Sequence, residues 1–359
     1  MSSKLFKPIQ VGRMQLSNRL AMAPMTRFRV DDDHNPLPIV KDYYAQRGSV
    51  PGTLLITEAT IISPQAGGYK NVPGIYTDSQ IAAWKEITDA VHAKGSYIYL
   101  QLWALGRVAD PNYLRELGNY DLVSASDIPA AEGVPTPRPL SESDIQSFVK
   151  DYAQAARNAV AAGFDGVEIH AANGYLIDQF IQDNSNQRTD SYGGSVENRA
   201  RFALEVTQAV VDAIGADRTG MRMADPIPQF TYLAKETAKL KLAFTHIVEP
   251  RIAGNADVEE TPDELEFFLK AYGNVSPVII AGGYKAESAL QAIDEKYNEY
   301  DTVIGIGRPW TSNPDLPFRI KANVALVPYD RDTFYVPKDP KGYIDWEFSP
   351  EFKATQVGA

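Results

Sequence analysis

The chain has 359 residues, 44% of them hydrophobic and 23% charged, a composition ordinary for a soluble globular protein with a large core. Its formal net charge is −11 and no Lys/Arg block stands out, which argues against a nucleic-acid or anionic-membrane partner, since both need a positive footprint. There is no cysteine, which excludes disulfides, thiolate metal sites and cysteine nucleophiles; the four histidines (His34, His92, His170, His246) are scattered without a His-x-x-x-His pair, so no metal site is expected.

Apolar β-rich runs and amphipathic segments alternate along nearly the whole length. The first strand is expected at Arg19–Met25, followed by a helix over Ile39–Arg47. A second strand, Leu54–Thr60, leads to a helix over Asp78–Lys94 with Asp78 as its N-cap. The third strand, Tyr97–Leu102, precedes a polar, proline-rich excursion, Ala109–Pro139, and then a helix over Ser141–Ala162 opened by Ser141-Glu-Ser-Asp144. The fourth strand, Gly166–His170, is followed by a helix over Val196–Ile214. A short fifth strand, Thr219–Met223, precedes a helix around Tyr232–Leu240. The remaining units pair Phe244–Glu249 with Pro262–Tyr272, Val278–Ala281 with Ala286–Tyr297, and Val303–Gly307 with Leu316–Ala322.

Eight strand-then-helix units point to a single closed (β/α)₈ TIM barrel. An open dinucleotide-binding sheet would carry a Gly-x-Gly-x-x-Gly turn after its first strand, and none is present. Residues 1–18 are expected to plug the bottom of the barrel, and 328–359, aromatic and proline-rich, to lie over a face as a lid or tail. The N-terminus lacks an apolar signal core and no run approaches the ~18 apolar residues of a membrane span, so a cytoplasmic protein is expected.

In such a barrel chemistry collects at the carboxyl ends of the strands. Strand four ends in His170, with Asn173 and Tyr175 in the turn beyond it. Were that turn helical, His170 and Asn173 would share one face and Tyr175 would point elsewhere. Two neutral donors can hold a carbonyl oxygen, and a phenol placed separately can give a proton; equally, His170 could be a satisfied core histidine. Strand seven runs into Gly282-Gly283 and strand eight into Gly305-Ile306-Gly307-Arg308. Glycines there let backbone N–H groups approach a phosphate, and Arg308 adds a matching fork. No protein side chain present performs electron chemistry unaided, so a redox cofactor bearing one phosphate fits.

Several motifs then line up in order: Leu5-Phe-Lys-Pro8, Asn18-Arg19, Ala23-Pro-Met-Thr-Arg27, Thr57-Glu-Ala59, Gln101-Leu-Trp103, Gly166-Val-Glu-Ile-His-Ala-Ala-Asn-Gly-Tyr175, Tyr192-Gly-Gly194, Glu197-Asn-Arg199 and Ser312-Asn-Pro-Asp-Leu316. Over about Leu5 to Tyr343 the chain resembles the old yellow enzyme family of flavin-dependent ene-reductases, in wording most like fungal members, including those of ergot-alkaloid pathways. The resemblance implies non-covalent FMN reduced by NADPH or NADH, with hydride passing from flavin N5 to an activated alkene of a small-molecule enone or enal. By the same resemblance His170 and Asn173 bind the substrate carbonyl and Tyr175 gives the proton. Pro24 and Met25 would lie under the flavin ring, and Thr26, Ala59 and Gln101 would contact its polar edge. Gly283, Gly307 and Arg308 would hold the phosphate, while Trp103 and Tyr69 would line the substrate pocket.

One departure stands out. The family has a clear fifth strand with an arginine facing the flavin, then a longer loop. Here Arg218-Thr-Gly220 runs almost directly into Met221-Arg-Met-Ala-Asp225. Either the loop is deleted and Arg222 takes the flavin role, or the fifth strand is missing and FMN binding is impaired. The ending Gly342-Tyr-Ile-Asp-Trp346 also departs from the family's usual one. A metal-free barrel lyase or isomerase binding a phosphorylated ligand, and a non-catalytic relative, remain as alternatives to the ene-reductase; oligomeric state is not legible.

Overall fold

In this computed structural model residues 3–224, 227–249, 252–253, 256–257 and 265–356 are described. Each apolar run becomes a strand covered on both faces: β1 (Leu20–Met22), β2 (Leu54–Ile61), β3 (Tyr97–Trp103), β4 (Gly166–Ala171), β5 (Thr219–Met223), β6 (Phe244–Val248), β7 (Val278–Ala281) and β8 (Thr302–Ile306). They pair in chain order, and β8 returns to β1, closing the (β/α)₈ barrel that the alternation implies. All eight pairings are parallel, so the seven connections between successive strands are crossovers. The helices that follow the strands are α1 (Pro38–Arg47), α2 (Asp78–His92), α3 (Glu142–Ala161), α4 (Val196–Ile214), α5 (Ile227–Leu240), α6 (Glu266–Tyr272), α7 (Ala286–Gln291) and α8 (Leu316–Ala322).

The fifth strand is present, which overturns the alternative in which it is missing. It pairs with β4 from Val167↔Thr219 to Ala171↔Met223 and with β6 from Phe244↔Gly220 to Ile247↔Met223. It looks weak in sequence because Gly220 sits inside the barrel, where a Cβ would run into the ring of Phe244. What is short is the connection: β5 ends at Met223 and α5 already begins at Ile227.

Other differences have local causes. The N-cap of α2 is Thr77, not Asp78; Thr77 and Gln80 form a reciprocal capping box, leaving Asp78 as a first-turn acid that suits the helix dipole. The excursion over Ala109–Pro139 contains a helix, Pro111–Gly118, capped by the Asp110 side chain, and a two-residue pairing of Val123–Ser124 with Arg138–Pro139. The helix expected around Tyr232 starts earlier, at Ile227. That expected over Pro262–Tyr272 is described only from Glu266, residues 262–264 lying outside the described residues.

An N-terminal hairpin, Ile9–Val11 with Met14–Leu16, packs Ile9, Val11, Met14 and Leu16 against Leu54, Tyr99, Phe244, Ile279 and Val303 at the amino ends of the strands. Its two-residue turn needs Gly12, whose φ is +53° and whose Cβ would strike the carbonyl of Asp217. That end of the barrel is therefore filled with apolar side chains.

Candidate active site

At the carboxyl ends of the strands lies a cavity of about 540 Å³, within the size range of small-ligand sites. Strand alternation places Gln101 and Trp103 of β3 on the cavity side, while β2 departs from it. In β2 the register with β3 shifts between Ile56 and Ala59, a bulge that carries Glu58 out of the barrel and brings Ala59 opposite Gln101. Outside, the Glu58 N–H donates to the Tyr44 hydroxyl at 2.9 Å, and Glu58 Oε2 accepts the Arg27 N–H at 3.1 Å. Without that bulge a carboxylate, not a methyl group, would face the cavity.

The turn after β4 is not helical. Asn173 and Gly174 both take left-handed backbone, φ +60° and +79°, which asparagine and glycine tolerate best. Asp178 Oδ2 accepts the Gly174 N–H at 2.7 Å and Gln179 Nε2 donates to the Gly174 carbonyl at 2.8 Å, so the following helix, Leu176–Ile181, clamps the turn. Tyr175 consequently does not point elsewhere. Its ring meets His170 edge-on at 5.0 Å and Trp103 at 4.9 Å, and Trp103 in turn meets Tyr69 at 5.8 Å. His170, Asn173, Tyr175, Trp103 and Tyr69 all line the one cavity.

Burial sets the proton states. It lowers the His170 pKa well below the ordinary value, with the charge of Arg222 adding to the effect, so the imidazole is neutral at physiological pH and carries a single N–H. It pushes the Tyr175 phenol up to about 12, so that group keeps its proton. Four arginines (Arg27, Arg222, Arg308, Arg331) line the cavity and, among the described residues, no Asp or Glu does, in a chain whose net charge is −11. The guanidinium of Arg27 is committed to Tyr43 and to the carbonyls of Phe334 and Gly342. Arg222, from β5, has a buried Nε with no hydrogen-bond partner. A buried guanidinium nitrogen left unpaired is costly, and an acceptor on a bound anion or heterocycle would satisfy it. A flat, polar-edged cofactor with one phosphate therefore suits this lining.

The residues singled out from sequence converge here with two exceptions. Pro24, Met25, Thr26, Ala59, Gln101, Arg222 and Arg308 border the same space as the turn after β4. Gly283 and Gly307 are not among the lining residues. Gly307 caps the short helix Arg308–Ser312, and a Cβ on it would come 3.4 Å from the Met25 sulfur; Gly283 has φ +67° just after β7. Sequence reasoning gave no role to Arg27, Phe28, Thr311, Val248, Arg331, Phe334 and Tyr335. Thr311 was within reach, three residues from Arg308 on one helix. The sequence puts the aromatic stretch 328–359 over a face as a lid or tail without saying which face, and Arg331, Phe334 and Tyr335 bring it to this cavity.

Among the described residues no group of three His, Asp or Glu side chains could hold a metal ion, and no helix is long and apolar enough to cross a membrane.

The sequence pattern of the NADH:flavin oxidoreductase / NADH oxidase family matches residues 4–326. A chanoclavine-I aldehyde reductase of Penicillium roqueforti is 67% identical, over 99% of this chain and all of its own length. A protein of Epichloe festucae var. lolii named as a probable inactive reductase is 49% identical over 98% of this chain and 97% of its own. Old yellow enzyme from Pichia superposes with a TM-score of 0.89 at 40% identity, covering 97% of this chain and 94% of that one. With the barrel, the anion-seeking cavity and these likenesses in agreement, the chain belongs to the NADH:flavin oxidoreductase / NADH oxidase family and is an FMN-dependent oxidoreductase of old yellow enzyme type, with a nicotinamide nucleotide as reductant.

Proposed function

We propose that this enzyme saturates the activated C=C bond of small α,β-unsaturated aldehydes and ketones, with Tyr175 as the proton donor. The reading is carried by one observation: a neutral histidine, an asparagine held in left-handed backbone and a fully protonated phenol meet in a single arginine-lined cavity. FMN, reduced by NADPH or NADH, supplies hydride chemistry when bound there. The residues we assign to holding it are Pro24, Met25, Thr26, Ala59, Gln101 and Arg222 for the ring, and Arg308 for the phosphate. An intact lining, Arg222 included, supports an active enzyme over a family member with impaired FMN binding.

In this assignment His170 and Asn173 donate hydrogen bonds to the substrate carbonyl oxygen. Charge grows on that oxygen as the alkene is reduced, so donors fixed in advance favour the transition state more than the ground state, by ~3 kcal/mol each on a typical scale. Tyr175 then gives its proton to the α-carbon. The aromatic rim of Tyr69, Trp103, Phe334 and Tyr335 suits an aldehyde mounted on a ring system, as does the likeness to a chanoclavine-I aldehyde reductase.

Titration of the protein with FMN, followed by NADPH oxidation with chanoclavine-I aldehyde and with cyclohexenone, tests the proposal. Flavin that binds and is reduced by NADPH, yet is reoxidised by oxygen alone and by neither alkene, would remove the assigned activity.

A further inference from the structure

At the cavity floor, facing the barrel axis, sits a buried polar trio, Gln101 on β3, Glu168 on β4 and His246 on β6, of which the proposed function uses only Gln101. The layer below is apolar, and a carboxylate taken out of water needs a compensating arrangement. Glu168 has one. Its Oε1 accepts from Gln101 Nε2 at 2.7 Å and its Oε2 pairs with His246 Nδ1 at 2.6 Å. Glu168 is not among the residues lining the cavity, so it acts only through its neighbours.

The consequence falls on Gln101. An amide offers a donor end and an acceptor end, and the Glu168 oxygen facing Gln101 accepts. With one N–H of its NH₂ group held by Glu168, the Gln101 amide is turned so that its oxygen is left for the cavity it lines. His246 completes the arrangement. Burial lowers its pKa, so the ring is neutral, its one proton lies on Nδ1 toward Glu168, and Nε2 is a bare lone pair buried without a partner. Glu168 is also the opposing charge that Arg222 feels most strongly.

We propose that Glu168, seconded by His246, is a positioning residue that fixes the orientation of the Gln101 amide, so that the site presents an acceptor and selects a ring edge bearing an N–H. The isoalloxazine of FMN has such an edge at N3, between two carbonyl groups. The inference rests on the reading that FMN occupies this cavity with Gln101 at its polar edge. Glu168→Gln removes the constraint: the new side chain turns its oxygen to His246 and its NH₂ to Gln101, and Gln101 must then reverse and offer its NH₂ group to the ligand.

The test compares Kd values of FMN and N3-methyl-FMN by quenching of flavin fluorescence, with no turnover required. The wild-type protein is expected to prefer FMN on the order of 10-fold, the scale of one hydrogen bond lost with its partner left buried. Glu168→Gln is expected to weaken FMN while hardly changing N3-methyl-FMN, so the preference collapses. The exchange Gln101→Glu with Glu168→Gln again places an acceptor in the cavity, and the preference should return. An equal loss for both flavins in Glu168→Gln, or an unchanged preference, would overturn the proposal while leaving FMN binding intact. Wild-type protein that binds neither flavin would overturn the FMN reading itself and this inference with it. Should Glu168→Gln fail to fold, Glu168→Leu decides in its place: it removes the partner of the Gln101 NH₂ group, so a lost preference supports the assignment and a retained one refutes it.

Discussion

Tyr175 shows how one side chain takes its chemistry from its surroundings. Wedged between Trp103 and His170 and largely cut off from water, its phenol stays protonated up to a pH of about 12. Replacing it by Phe keeps the packing and removes the proton. Stopped-flow of the two half-reactions of Tyr175→Phe should show flavin reduction by NADPH unchanged and reoxidation by the enone slowed ~10²–10⁴-fold; equal rates in wild type and variant would mean that the proton comes from elsewhere. Glu58, sent outward by the bulge in β2, carries the opposite burden. Burial raises its pKa from 4.5 to about 7 against the pull of the Arg27 N–H and of the Arg27 and Arg29 charges. Between those values the unfolded chain releases a proton that the folded one keeps, so stability falls as pH rises through that window and stays lower above it. The thermal midpoint of Glu58→Gln should therefore gain on wild type between pH 4.5 and 7, by about 3 kcal/mol in stability at most. Parallel midpoint curves would show that Glu58 does not titrate in that window.

At the scale of elements, the C-terminal segment is held over the mouth by two buried arginines from the chain just after β1. Arg27 donates to the carbonyls of Phe334 and Gly342, and Arg29 to those of Thr333, Phe334, Asp339 and Lys341. Tyr43 and Tyr343 stack at 4.0 Å beside them, and Arg27 lies over both rings. Arg331, Phe334 and Tyr335 reach the cavity only because this segment is fixed. Arg29→Ala leaves several carbonyls without their donor. Amide exchange should rise at least tenfold over 329–343 and KM for a bulky aldehyde should increase, while the Kd of FMN stays within about twofold. Unchanged exchange in that segment would show that other contacts hold it.

The whole molecule divides the barrel between its two ends. The hairpin fills the amino end with side chains and so leaves the carboxyl end to hold a ligand. Leu16 is fully buried in that plug, far from the cavity lining. Leu16→Ala should cost about 2–5 kcal/mol in urea unfolding, as other core truncations do, without altering FMN affinity in the folded protein. A variant of native stability would mean that the plug adds nothing to the barrel. A change in FMN affinity would instead show that the two ends are coupled.

How much of this was written in the chain can be judged element by element. Alternating apolar runs and amphipathic segments are local properties, so the eight units, the bounds of β5, β7, α4 and α8, and the capping box at Ser141 were legible without coordinates. Strand ends in a closed barrel share one rim, which is why His170 and Arg308 could be grouped from sequence alone, whereas Arg222 entered only through the family resemblance. The turn after β4 was misjudged, because the left-handed backbone of Asn173 depends on the Asp178 and Gln179 contacts, and only those bring Tyr175 beside His170. The outward turn of Glu58, the return of Arg331 to Tyr335 over the mouth and the clasp of Glu168 on Gln101 and His246 join residues distant in sequence. Periodicity records which face of its own element a residue occupies. Which partner it meets there is decided by closure of the barrel and by the packing of what lies across it.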